Sequence, residues 1–154
     1  MEINVGLGQG ARQAMAEGLL RLLADTYAVY LKTQNFHWNL TGQNFFALHL
    51  LFEKQYQELA DATDEIAERV RALGFFVDAS FSAFKKMSSI TEETRVLTAK
   101  EMLEHLVKAH ESVIRLARHL SEEAEKEKDC GTIDMLGRRL NIHEKMAWML
   151  RSSL

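Results

Sequence analysis

Proline is absent from all 154 residues, cysteine occurs once and glycine only 8 times. Each shortage removes a class of structure. A chain so poor in turn residues cannot punctuate a strand-rich fold, whereas 47% hydrophobic and 27% charged residues suit long, uninterrupted helices. Cys130 has no partner for an internal disulfide and reads as an unpaired thiol of a reducing compartment. No stretch reaches the roughly eighteen apolar residues of a membrane-spanning helix, and residues 1–30 hold no basic segment followed by an apolar run. The expectation is a soluble, unsecreted, cytoplasmic protein, in which the glycosylation-like triplet Asn39-Leu40-Thr41 carries no meaning. Positive charge is also scarce where nucleic acid would need it. The net charge is −3, the first ten residues contain no Lys or Arg, and Arg151 is the only basic residue among the last six. Phosphate neutralisation requires clustered cations, and Lys85-Lys86 and Arg138-Arg139 are isolated pairs, so direct nucleic-acid binding is expected to be weak or absent.

What is present is helical periodicity. The length suits one domain, residues 1–154, with one core. A first helix is expected from about Gln9 to Asn35, with Met15, Leu19, Leu22, Leu23 and Tyr30 on one face. After a break at Asn39–Gly42, Thr41 is expected to cap a second helix that runs to Leu73 and stops at Gly74. Residues 75–97 form a longer connection, in which Phe75, Phe76, Phe81, Phe84 and Met87 would build a short helix against the bundle. Thr98-Ala-Lys-Glu101 is a capping box that starts a third long helix, buried through Leu103, Leu106, Val107, His110, Val113, Ala117 and Ala124 and ending near Glu127. A break at Asp129-Cys130-Gly131 precedes the last helix, whose stripe is Ile133, Leu136, Leu140, His143, Ala147 and Leu150. Two short loops and one long crossover among four amphipathic helices specify an all-α, ferritin-like four-helix bundle.

The second helix carries the chemistry. His49 and Glu53 are four residues apart, as are Asp64 and Glu68, so each pair shares a helical face, and His37 lies just upstream. Asp64 is fifteen residues beyond His49, roughly 22 Å along a helix, whereas a metal–ligand bond spans roughly 2 Å. With His49 at the zero of angle, Glu53, Asp64 and Glu68 fall at roughly 40°, 60° and 100°. Phe45, Leu48, Phe52, Leu59, Ile66 and Val70 lie on the other side, between roughly −40° and −100°, the face expected to enter the core. Either the chain holds two incomplete sites, or an antiparallel second copy sets its carboxylates against the first copy's histidines. Elsewhere His110 and His143 fall on apolar stripes and read as satisfied core histidines, His105 and His119 as surface residues, and Trp38, Trp148 and Tyr56 as packing residues.

His37-Trp-Asn, Gly42, Phe46, Leu48-His49, Phe52, Tyr56, Asp64, Ala67-Glu68-Arg69 and Gly74, with the ending His143-Glu-Lys-Met-Ala-Trp-Met-Leu-Arg151, resemble the Dps family of mini-ferritins, also called DNA-binding proteins from starved cells. No Glu stands three residues before any of the six histidines, which removes the in-bundle Glu-x-x-His di-iron site of ordinary ferritins. The resemblance implies a hollow homo-dodecamer built from two-fold dimers. It implies ferroxidase sites of two iron ions each, with His37, His49 and Glu53 from one subunit and Asp64 and Glu68 from its partner. It further implies Fe(II) oxidation preferentially by hydrogen peroxide, storage of the ferric mineral and protection against oxidative stress. Imidazole and carboxylate suit iron, although the same ligands would also hold zinc or manganese. Two departures from the family are visible: Glu53 stands where Asp is commoner, and no Lys-rich tail is present. The alternative function is DNA compaction with iron secondary. Glu125, Asp129 and Asp134 resemble the family's acidic three-fold pore, with Cys130 where some relatives have another acid, and Trp38 is placed to intercept stray oxidising equivalents.

Overall fold

A computed structural model describes residues 3–154 of the protein. Five helices follow one another: α1 (Gln9–Asn39), α2 (Phe45–Ala72), α3 (Phe81–Met87), α4 (Ala99–Lys126) and α5 (Cys130–Arg151), with no strand among the described residues. None of these helices is long and apolar enough to cross a membrane. The all-α, ferritin-like bundle is therefore as expected, with the short α3 in the crossover between α2 and α4. Arg12, near the start of α1, donates to the Leu73 carbonyl at the end of α2, so these two helices run antiparallel. Arg69, near the end of α2, reaches Asp129 beyond the end of α4, so the crossover has carried the chain back along the bundle and α4 runs parallel to α2.

Local chemistry accounts for several of the boundaries. Thr98 and Glu101 form the capping box, each satisfying the other's backbone N–H. Gly74 ends α2 at φ +98°, where its N–H reaches Arg71 O and that of Phe75 reaches Val70 O, the paired bonds that close a helix through a left-handed residue. Three boundaries differ from expectation. α1 continues four residues past Asn35, because Phe36 and Leu40 are buried one turn apart and hold the final turn; His37 thus belongs to α1. Thr41 does not cap α2. Gly42 turns the chain at φ +117° and accepts from the Phe45 N–H, leaving Asn44 in the cap position. The last reversal lies at Lys128, φ 57°, rather than at Gly131, and Asp129 caps α5 by accepting from the Thr132 N–H.

The core consists of two apolar clusters. One packs Met15, Leu19, Leu22, Leu59, Ile66 and Leu136; the other, at the opposite end, packs Phe36, Leu48, Phe52, Met102, Leu106 and Leu150. Between them lies a polar layer that the helical stripes did not announce. Arg139 on α5, fully buried, makes a bidentate ion pair with Glu58 on α2 and lies 3.3 Å from His143 Nε2. The guanidinium can only donate, so His143 Nε2 accepts and His143 Nδ1 carries the proton. That proton points to His110 Nδ1 at 2.9 Å, which leaves the ring proton of His110 on Nε2, buried and without a partner. The two histidines are in the core as expected, but only three of their four ring nitrogens are satisfied.

Burial and the Arg139 charge push the His110 imidazole down to about 3, and burial, His110 and Arg139 push His143 down as well. A second polar anchor fixes the crossover: buried Asp25 accepts from Ser88 Oγ at 2.8 Å and from the Ser89 N–H at 2.6 Å.

Candidate metal centre

The extension of α1 brings His37 against the start of α2. Across this corner the His37 and His49 rings stack with centroids 3.7 Å apart and planes 20° from parallel. His37 Nδ1 lies 2.9 Å from the His49 carbonyl oxygen, and His49 Nδ1 lies 3.0 Å from that of His37. A carbonyl oxygen can only accept, so both Nδ1 atoms carry protons. In each neutral ring the lone pair is therefore on Nε2. Backbone hydrogen bonds thus fix both tautomers and orient both rings, as the outer partners of a metal-bound histidine do.

The carboxylates lie along α2. Glu53 is half-buried one turn beyond His49, while Asp64 and Glu68 are exposed further down the helix. Among the described residues no three His, Cys, Asp or Glu side chains converge closely enough in one chain to hold a metal ion. The structure brings His37 and His49 into contact and leaves Asp64 roughly 22 Å and Glu68 roughly 28 Å from His49 along the helix. The donor types present, two imidazole Nε2 atoms and three carboxylates, suit an iron ion.

The core face of α2 is mostly as expected, with Leu48, Phe52, Leu59, Ile66 and Val70 buried. Phe45 is the exception: it is exposed and lies against the His49 ring, 4.9 Å between centroids. Phe46, Leu50 and Trp38, each within three residues of one of the two histidines in sequence, are exposed as well. Trp38 is 64% exposed and Trp148 59%, so neither is the packing residue expected of it within this chain. His119 is exposed and His105 half-buried 3.8 Å from Glu93.

Two residues at or near the site escaped the sequence reading. Tyr56, taken as packing, sets its ring edge-on to His37 at 5.2 Å. Its signal was its place seven residues after His49, on the same helical face. Arg139 was taken as half of a surface pair, yet its register, three after Leu136 and four before His143, puts it on the buried stripe.

The three acids compared with a pore behave differently from one another. Asp129 is buried; it pairs with Arg69 at 2.6 Å and accepts from Thr132 Oγ1 at 2.6 Å, so its carboxylate is occupied as a helix cap. Asp134 pairs with Arg138, which also reaches Glu65. Glu125 is exposed, as is the free thiol of Cys130.

Known proteins share this fold. The ferritin-like domain family matches residues 16–154. An uncharacterized low temperature-induced protein of Nostoc sp. is 39% identical over 152 residues, which cover 97% of this chain and 85% of the relative. The DNA protection during starvation protein of Porphyromonas gingivalis is 34% identical over 145 residues, covering 94% and 91% respectively. The crystal structure of the Dps protein from Vibrio cholerae O1, described as one of the ferritin-like diiron-carboxylate proteins, superposes with a TM-score of 0.93 at 33% identity, covering 99% of this chain and 96% of that one. Fold and donor set together define a ferritin-like protein. Within that class the chain belongs to the Dps family.

Proposed function

We propose that the protein is a ferroxidase and iron store whose two-iron sites are completed by a second copy of the chain. His37, His49 and Glu53 of one copy would face Asp64 and Glu68 of the other. The observation that carries this reading is the reciprocal pair of bonds from His37 Nδ1 and His49 Nδ1 to each other's carbonyls, which prepares two Nε2 lone pairs at one corner of the bundle. The exposed apolar side chains of Phe45, Phe46 and Leu50 at the start of α2 support it, because a second chain seated there would remove that surface from water. Relatives named for DNA protection during starvation support a protective role against oxidative stress. We place the assembly in the cytoplasm, where the free Cys130 thiol is at home, as a closed dodecamer of two-fold dimers.

Two Fe(II) ions in one site would each give one electron to hydrogen peroxide, so that two Fe(II), one H2O2 and two protons become two Fe(III) and two waters without free hydroxyl radical. The expected outcome is that peroxide oxidises bound Fe(II) much faster than dioxygen does. Anaerobic loading followed by stopped-flow mixing with each oxidant, read by ferric absorbance, tests this. Equal rates would remove the peroxide preference, and no ferric product with either oxidant would remove the ferroxidase.

The protection would act through iron and peroxide rather than through tight DNA contact, since the net charge is −3 and residues 1–10 contain no Lys or Arg. Gel retardation at physiological salt without divalent metal is expected to leave duplex DNA free. A tight, salt-sensitive complex would instead make DNA compaction the primary function.

A further inference from the structure

Each of the four long helices passes from one apolar cluster of the core to the other through buried polar residues. On α1 this is Thr33, between Val29 and Phe36; on α2 it is Gln55, between Phe52 and Leu59. On α4 it is His110, between Leu106 and Val113, and on α5 Arg139 and His143, between Leu136 and Leu150. All five are at most 2% exposed. Spacings of three, four and seven residues keep them on the core-facing seam of each helix, so a single polar layer crosses the bundle between the clusters. Within it the His110–His143 and Arg139–Glu58 bonds tie α5 to α4 and to α2.

Those bonds leave the layer unsatisfied. Gln55 Oε1, Gln55 Nε2, His110 Nε2 and Arg139 Nε are buried and have no partner among the described residues. Thr33 Oγ1 donates to the Val29 carbonyl at 2.7 Å, which leaves its lone pairs able to accept. Exchanging the protons of the histidine pair gives no relief. With His110 Nδ1 as the donor, His143 would carry its proton on Nε2, facing the donor-only guanidinium of Arg139 at 3.3 Å. His110 Nε2 is therefore an N–H, and leaving it and its neighbours unmatched inside the bundle is costly.

The unmatched set selects what can satisfy it, for it consists of three donor nitrogens and one acceptor oxygen. A metal cation would meet N–H groups instead of lone pairs. An anion would face Gln55 Oε1 and would bring an unbalanced charge, because Glu58 already neutralises Arg139. Water is neutral, and it both accepts and donates. We propose that the layer is an internal hydration site, in which enclosed water accepts from the His110 Nε2–H, donates to Gln55 Oε1 and extends to Gln55 Nε2 and Arg139 Nε. The water completes a hydrogen-bonded plane through α2, α4 and α5, with Thr33 of α1 as a further acceptor, and holds His110 in the tautomer that Arg139 imposes through His143. Gln55 lies roughly 120° around α2 from His49, on the side away from Glu53, Asp64 and Glu68, so the hydration stands or falls apart from any iron chemistry.

A crystal structure of the assembled protein at about 1.5 Å or better tests this, with ordered water expected within about 3.2 Å of both His110 Nε2 and the Gln55 amide. Gln55→Met keeps the length of the side chain and removes both polar atoms. It is expected to lose that water, and oxygen-17 magnetic relaxation dispersion is expected to count at least one fewer long-lived internal water per chain than in the wild type. A dry layer in the wild type overturns the proposal, whether the Gln55 amide has turned onto His110 or stays unmatched. Water that Gln55→Met leaves in place, with an unchanged count, overturns it as well. Crystals grown in bromide separate water from an anion, since an anomalous peak within the layer would put a halide in place of the water and refute the assignment. Should Gln55→Met fail to fold, the wild-type density and the bromide data decide the question between them.

Discussion

His49→Ala and Asp64→Ala are each expected to abolish most rapid iron oxidation, and a mixture of the two inactive proteins, dissociated and reassembled, is expected to regain it. In a symmetric dimer of either variant, every shared site lacks one ligand. In a mixed dimer, the intact His49 of one chain meets the intact Asp64 of the other, so one site is whole and the second carries both lesions. Random reassembly of equal amounts makes about half of the dimers mixed, and hence restores about a quarter of all sites. The reason to expect sharing is rigid geometry: α2 is one unbroken helix from Phe45 to Ala72, and no bend within it brings Asp64 to His49. Verified mixed dimers that stay as inactive as their parents would show that the two half-sites are not joined across the interface.

Acid is expected to destabilise the fold through the polar layer well before ordinary carboxylates are exhausted. His110 is held neutral down to about 3 by burial and Arg139, whereas in the unfolded chain it titrates near its ordinary value. Between those limits the unfolded chain binds a proton that the folded chain does not. Stability is thus complete above about pH 6.5 and falls as pH drops toward about 3, by about 1.4 kcal/mol per pH unit for such a histidine. From pH 6.5 to 4.5 His110 alone removes about 2 kcal/mol, and His143, shifted in the same direction, adds to the loss. Denaturant titrations across this range measure the slope. The double variant His110→Leu/His143→Leu is expected to show a markedly flatter one, whatever its stability at neutral pH. A wild-type slope no steeper than that of the variant would mean that these rings protonate freely in the folded protein.

The sequence made much of the fold legible, because apolar periodicity, a capping box at Thr98 and a helix-stopping Gly74 are local signals written in adjacent residues. Its errors were also local signals, overruled by distant packing. Asn35 looked like a helix end, but burial of Phe36 and Leu40 carried α1 onward. Thr41 looked like a cap, but the turn at Gly42 delayed α2. Phe45 looked like core because its angle on the helix is right, yet it is the first residue of α2 and lies exposed against His49.

The candidate site divides in the same way. By itself the sequence determined which residue types are available, the helical face they share, and the distance that separates His49 from Asp64, since all three follow from the fixed rise and turn of one helix. It could not determine which nitrogen each histidine presents, that Arg139 lies inside the bundle with Glu58, that Asp129 is committed to Arg69, or that Tyr56 sets its ring against His37. Those arrangements join α1 to α2, or α2 to the α4–α5 hairpin, and each depends on how helices meet rather than on any one of them. Only the tertiary structure decides them, because a hydrogen bond or ring contact across helices is set by the packing of the apolar clusters on either side, not by spacing along the chain.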